Sequence, residues 1–227
     1  MKFSKQNITT SIAILFHVCG LIGILFTPYK DWFIQNTPFN LCLMAALLIW
    51  TQPEKNVGFV SFAAVAFITG MAAETIGVNT GKLFGEYKYG TVLGIKFNGV
   101  PWLIGINWFI IVFCSGSVMV QMQQWFSKKF EKEGSVLSPF IAGISLVIDG
   151  ALLATFFDWV MEPVVIKLCF WQWQSSNIPF YNYLCWFIIS GMLLVVYRWC
   201  SFSKPNYFAV HLLIIQLLFF LALRTYL

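Results

Sequence analysis

Seven stretches of about twenty mostly apolar residues follow one another along this 227-residue chain, at 8–27, 32–50, 57–74, 100–125, 137–157, 179–199 and 206–226. A helix of that length matches the roughly 30 Å hydrocarbon thickness of a bilayer. In lipid every backbone N–H and C=O must be satisfied inside the protein, which leaves helices and closed barrels as spanning structures. Barrel strands alternate inward and outward residues over about ten positions, and runs such as 212–223 do not alternate. The expectation is therefore an all-α, polytopic integral membrane helix bundle with about seven transmembrane helices, forming a single integral membrane domain over residues 1–227. Composition agrees, with 59% of residues hydrophobic, 10% charged and a mean hydropathy of +0.77. Gln35, Asn36, Thr37 and Pro38 interrupt the second stretch, which makes it the weakest of the seven.

Lys2 and Lys5 precede the first stretch as they would a signal peptide, but it ends at Thr27-Pro28-Tyr29-Lys30 without a small-residue cleavage site, so a retained helix is expected. With the N-terminus cytoplasmic, Lys2, Lys5, Lys55, Lys128, Lys129, Lys132, Arg198 and Lys204 fall on the cytoplasmic side. Lys30, Lys82, Lys88, Lys96, Lys167 and Arg224 fall on the other. This small excess favours a cytoplasmic N-terminus, and the expected location is a bacterial inner membrane. The net charge of +5 suits contact with anionic lipid headgroups and is too dispersed for nucleic acid. The polar run from Ser127 to Glu133 reads as a solvated loop. Six scattered cysteines without a CxxC pair read as small apolar side chains.

Against this background three carboxylates stand out: Glu74, Asp158 and Glu162, each in or against an apolar stretch. An ionisable group at membrane depth is costly unless paired or protonated, and so marks a functional site by default. Asp158 and Glu162 lie four residues apart, on one face of a helix. Desolvation and mutual repulsion favour the protonated form of one of them, giving a proton donor beside an acceptor. Pro163 is expected to break the helix there. A plain helix end at the headgroups, with the acids hydrated or paired to Lys167, is the competing reading. With seven spans, the connections after the third and fifth emerge on one face, so their acids can converge. Tyr87 and Tyr89 flank Lys88 and point to one side if that segment is extended. The two connections share a loose plan of acid, Gly or aromatic residues, Pro, then Asn107-Trp108 or Asn182 and Trp186, which is compatible with an old internal duplication.

The run Glu74-x-x-Gly77-x-x-x-Gly81-x-x-Phe84-Gly85-x-Tyr87-x-Tyr89, followed by Leu93-Gly94 and Val100-Pro101-x6-Trp108, resembles the membrane-integral carotenoid hydratases of carotenoid biosynthesis. These act in the pathways of bacterioruberin and of hydroxylated or glycosylated monocyclic carotenoids. Asp158-x-x-x-Glu162-Pro163, Trp171-x-Trp173 and Pro179-x-x-Asn182-x-x-x-Trp186 carry the same resemblance, which extends over residues 57–199. Two positions depart from it: the family usually has Asp at Glu162, and Gly-Val-Pro at Asn177-Ile178-Pro179.

The resemblance implies addition of water to the terminal double bond of an acyclic carotenoid end group held in the bilayer, through a protonated alkene and a tertiary carbocation. Such chemistry calls for no metal and no redox cofactor. Glu74, Asp158 and Glu162 are the expected catalytic residues, one of Asp158 and Glu162 donating the proton. Tyr87, Tyr89, Trp159, Trp171, Trp173 and Asn182 are the expected substrate-binding residues, whose aromatic faces can stabilise a cation. Capture of the same cation by a neighbouring double bond would make the protein a cyclase. A prenyltransferase holding Mg²⁺ would need a second acidic motif, and Glu74 has no acid at the following third or fourth position. A non-enzymatic carotenoid or quinone carrier is the remaining alternative; a haem bound by His17 and His211 is less favoured than histidines hydrogen-bonded between helices.

Overall fold

The structure, a computed structural model, describes residues 4–130, 138–175 and 177–227. Lys2, Glu131, Lys132, Glu133 and Leu137, which enter the charge count, the expected loop and the fifth stretch, lie outside the described residues. The elements in chain order are α1 (Lys5–Phe26), α2 (Lys30–Gln35), α3 (Thr37–Thr51), α4 (Val57–Thr80), β1 (Tyr87–Tyr89), β2 (Lys96–Phe97), β3 (Val100–Pro101), α5 (Leu103–Phe130), α6 (Pro139–Lys167), β4 (Trp171–Trp173), α7 (Phe180–Trp199) and α8 (Tyr207–Tyr226). Among the described residues six helices, α1 and α4 to α8, are long and apolar enough to cross a membrane.

The second expected span is corrected. Pro38, in the first turn of α3, cannot donate a backbone hydrogen bond, and the chain breaks at Asn36, whose side chain donates to Trp32 O at 2.8 Å. A six-residue α2 and a 15-residue α3 result. At 1.5 Å per residue α3 rises only about 22 Å, short of a full bilayer core. Elsewhere polar residues start the helices where the sequence supplies them. Ser4, Asn56, Ser138 and Asn206 each accept from the backbone N–H three residues on.

The central helix is α5, which packs on α3, α4, α6, α7 and α8. Its residues 108–117 are all buried, as expected for a helix apolar on every side. At one end of the bundle, side chains tie the start of α1 and the α3–α4 connection to the start of α8 and the chain before it. Thr10 meets His211 at 2.8 Å, Gln52 donates to Ser203 O at 2.7 Å, and Asn56 donates to Ser201 O at 2.9 Å.

The opposite end is closed by a small ribbon. β1, from the connection after α4, pairs antiparallel with β4, from the connection after α6. The pairing is continued by Gly90 N–H to Phe170 O at 2.8 Å and Gln174 N–H to Glu86 O at 2.9 Å. The two long connections thus meet at one end of the bundle. α4 stops at Gly81, whose φ of +66° is a left-handed conformation that glycine adopts without steric cost. A second hairpin, β2 with β3, leads into α5.

α6 overturns a sequence expectation. Pro163 does not end it; the helix continues to Lys167 with the proline inside. Asp158 and Glu162 therefore sit on continuous helix, within the span rather than at its frayed edge.

Candidate functional site

The ribbon places four aromatic side chains over the bundle. Strand residues alternate between faces, so Tyr87 and Tyr89 point inward with Trp173 and Trp171, their cross-strand partners, while Lys88 and Gln172 point away. The ring pairs touch across the strands, with centroids 5.1 Å apart for Tyr87–Trp173 and 5.6 Å for Tyr89–Trp171.

Each strand serves a different carboxylate. The hydroxyls of Tyr87 and Tyr89 both donate to Glu74 Oε2, the latter at 2.7 Å, and the Trp108 indole N–H donates to Glu74 Oε1 at 3.1 Å. Glu162 accepts from Trp171 Nε1 at 3.3 and 3.2 Å on its two oxygens, and from Trp173 Nε1 at 3.1 Å. Burial first, then the adjacent Glu74 carboxylate, pushes both phenols above the ordinary tyrosine range, so they remain protonated donors.

Asp158 is held differently. Its Oδ2 accepts from Asn182 Nδ2 at 2.8 Å, while Oδ1 is buried without a hydrogen-bond partner. Asp158 is fully buried, and Glu74 and Glu162 are nearly so. Among the described residues no Lys or Arg is paired with any of the three, Lys167 included. Nor does any group of three or more His, Cys, Asp or Glu side chains form a candidate metal site.

These side chains line one small cavity together with Phe84, Ile104, Asn107, Met161 and Trp186. The centre of a water-sized sphere has about 20 Å³ there, enough for about one water. Trp108 and Trp186 form its rigid floor, stacked at 3.9 Å with planes 10° apart. Close packing explains Gly77: a Cβ there would lie 2.9 Å from both Phe84 Cδ2 and Tyr87 Oη. Phe84 itself has a left-handed backbone, φ 64°, unusual for a bulky residue, and its ring packs edge-on against Tyr87.

A second, larger cavity of about 470 Å³ lies alongside, between α1, the α2–α3 bend, α5, α6 and α8, and its walls are overwhelmingly apolar. Ile104, Asn107, Met161 and Trp171 line both cavities. The acids thus sit behind a thin partition from a chamber of ligand-binding size.

Eight of the nine site residues expected from the sequence meet here; Trp159 does not. It lies on the outer side of α6 with the Arg224 guanidinium 4.1 Å over its ring. Phe84, Ile104, Asn107, Trp108, Met161 and Trp186 are the lining residues that sequence reasoning did not place in the site, although Phe84, Trp108 and Trp186 stand in the quoted motifs. Asp149, inside the fifth apolar stretch, was passed over as well. It lies on the exposed side of α6, accepting from Ser145 Oγ at 2.5 Å, away from the other acids. His211 bonds between helices as expected, whereas His17 Nδ1 meets Ala13 O of its own helix at 2.7 Å.

The family model described as carotenoid biosynthesis protein matches residues 36–227, and the chain belongs to that family. It is also similar to the bisanhydrobacterioruberin hydratase of Haloarcula japonica, 24% identical over 208 residues. The match covers 86% of this chain and 65% of that relative, so the chain spans less than two thirds of the relative's length. No solved structure matches the chain.

Proposed function

We propose that the protein is a carotenoid hydratase that adds water to the terminal trisubstituted double bond of an acyclic carotenoid end group, without a metal or redox cofactor. The observation that carries this reading is the buried constellation of Glu74, Asp158 and Glu162 beside an apolar chamber. Membership in the carotenoid biosynthesis family and the name of the Haloarcula japonica relative support the same substrate class. The substrate is a lipid-soluble polyene that reaches the chamber from the bilayer and extends its end group past Met161 and Asn107 toward the acids.

The hydrogen bonds divide the three acids by role. Glu74 and Glu162 face only N–H and O–H donors, and an ionised carboxylate accepts but does not donate. Asp158 has one amide donor and a buried, unpartnered Oδ1; carrying a proton, that oxygen becomes a donor with no protein acceptor. In the reaction the Asp158 proton bonds to the less substituted alkene carbon as the π bond breaks. A tertiary cation forms on the other carbon, stabilised by the Glu74 charge and by the faces of Tyr87, Tyr89, Trp171 and Trp173. Water forms the C–O bond and gives its proton to Glu162. Return of that proton to Asp158, one helical turn away, completes the cycle. Burial keeps the proton on the acid until an alkene is presented, and leaves little room for water beyond the one that reacts.

The test is turnover of an acyclic carotenoid by the purified protein in oxygen-18 water, with mass spectrometry of the pigments. Gain of one labelled water is the expected result. Consumption of substrate without a change of mass would identify a cyclase, and bound but unaltered pigment a carrier.

A further inference from the structure

The geometry points to Asn107 as the residue that holds the attacking water and so decides that the cation ends as an alcohol. The inference rests on the hydratase reading and goes beyond it, because none of the three acids determines by itself what captures the cation.

Three observations converge on this amide. Asn107 lies in the walls of both cavities, where an end group advancing from the chamber meets the acids. The space on the acid side fits about one water, and Asp158, whose Oδ1 has no partner, lines the same space. The third observation concerns commitment. Tyr87, Tyr89, Trp108, Trp171 and Trp173 each direct their N–H or O–H to a glutamate, and Asn182 donates to Asp158. Among the described residues Asn107 makes no side-chain hydrogen bond, so of the two amides lining the acid cavity it is the one whose donor and acceptor are both free. An amide in an apolar partition with no partner leaves its hydrogen-bonding capacity unmet, and a bound water meets it.

The placement also fits the order of bond making. Asn107 lines the acid cavity as well as the chamber, beside the space where the terminal carbon carries the cation once its less substituted neighbour has taken the proton. With the amide oxygen accepting one O–H of the water and Glu162 accepting the other, a lone pair of the water faces that carbon. Attack forms the C–O bond, and the proton leaves to Glu162. Without the held water, the cation keeps two exits that need none: loss of a neighbouring proton to give an isomeric alkene, and attack by a double bond of the same chain to give a ring. Both products have the mass of the substrate.

The experiment compares the wild-type protein with Asn107→Leu, which keeps the size and removes both hydrogen-bonding groups, and Asn107→Ser, which keeps a hydroxyl. The ratio of water-added to mass-unchanged product is measured with substrate consumption, at equal membrane abundance. Asn107→Leu is expected to go on consuming substrate while that ratio falls by about tenfold or more, the factor corresponding to one lost buried hydrogen bond, and Asn107→Ser to recover part of it. A ratio unchanged in Asn107→Leu, or consumption and hydration falling together in both variants, would overturn the assignment. If Asn107→Leu fails to accumulate, Asn107→Met carries the same measurement. A wild-type protein that consumes substrate without adding water would instead remove the hydratase reading itself.

Discussion

Arg224 donates through Nη1 to the carbonyl oxygen of Trp159 at 2.9 Å, the acceptor that Pro163 leaves vacant four residues on in α6. A proline inside a helix deletes one rung of the backbone ladder, and here the lost rung joins the residues that directly follow Asp158 and Glu162. The guanidinium fills it from the last turn of α8 while stacking over the Trp159 ring. The arginine thus fills the gap that the proline opens beside the two acids.

Replacing Arg224 with Met should therefore loosen the helix where the acids sit. A loss of about 1 kcal/mol of stability is expected, the net worth of one such hydrogen bond, with slower turnover and an unchanged product. Thermal unfolding in detergent, read beside product analysis, checks both. Unaltered stability and rate would mean that the vacant carbonyl finds another donor at no cost.

Glu74 meets three donors and no acceptor. Its amide would turn an N–H₂ group toward hydroxyls and an indole that themselves donate. Glu74→Gln is expected to lower hydration by on the order of a hundredfold through loss of the negative charge facing the cation, with protein still present in the membrane. Glu54→Gln, remote from the acids and accepting from Ser203 N–H, should retain full activity in the same assay.

The two phenols set an alkaline limit. Their folded-state values lie above the ordinary 10.0 because of burial and then the Glu74 charge. Below pH 10 the phenols are protonated in folded and unfolded protein alike, and their contribution to stability is constant. Above it the unfolded chain releases these protons first, so stability falls as pH rises. Tyrosinate absorbance should show Tyr87 and Tyr89 silent near pH 10 in the folded protein. A Tyr87→Phe, Tyr89→Phe double variant that loses part of that titration would contradict the assignment.

Gly77→Ala tests the closeness of the aromatic ribbon to α4. The added methyl meets Phe84 and the Tyr87 hydroxyl at 2.9 Å, and overpacking of this kind costs about 1–3 kcal/mol. Lower stability and lower activity are expected together, with activity falling more, since Tyr87 is displaced from Glu74. Wild-type behaviour would show that the ribbon stands further away.

Much of this arrangement was legible because membrane helices announce themselves by length and apolarity, and because an acid in such a helix is conspicuous. Convergence of Glu74 with the Asp158–Glu162 pair followed from span parity, and the alternation at Tyr87 and Tyr89 from strand geometry. What remained hidden depends on tertiary partners. Pro163 is absorbed within α6 with Arg224, from the other end of the chain, on the carbonyl it frees. That Trp159 turns outward while Trp171 and Trp173 turn inward depends on how helix and ribbon are rotated, which spacing alone does not fix. The break of the second stretch at Asn36 was visible as four polar or helix-breaking residues, but its result, a bent pair lining the chamber, was not. Asn107 carries no signal in the sequence beyond its position before Trp108, because a free amide is recognised only when its neighbours' partners are known.

The most direct test of the central claim, that water is added by the buried acid pair of α6, compares wild-type, Asp158→Asn, Glu162→Gln and Asp149→Asn proteins in a bacterium accumulating an acyclic carotenoid, with mass spectrometry of the pigments at equal membrane abundance. Asp149 lies outside the pocket and serves as the control carboxylate of the same helix. The account predicts a gain of one water with wild-type and Asp149→Asn, and hydration lowered by about a hundredfold or more with each of the other two, the scale of a general acid or base. Near-normal hydration by both Asp158→Asn and Glu162→Gln would contradict it and place the proton elsewhere.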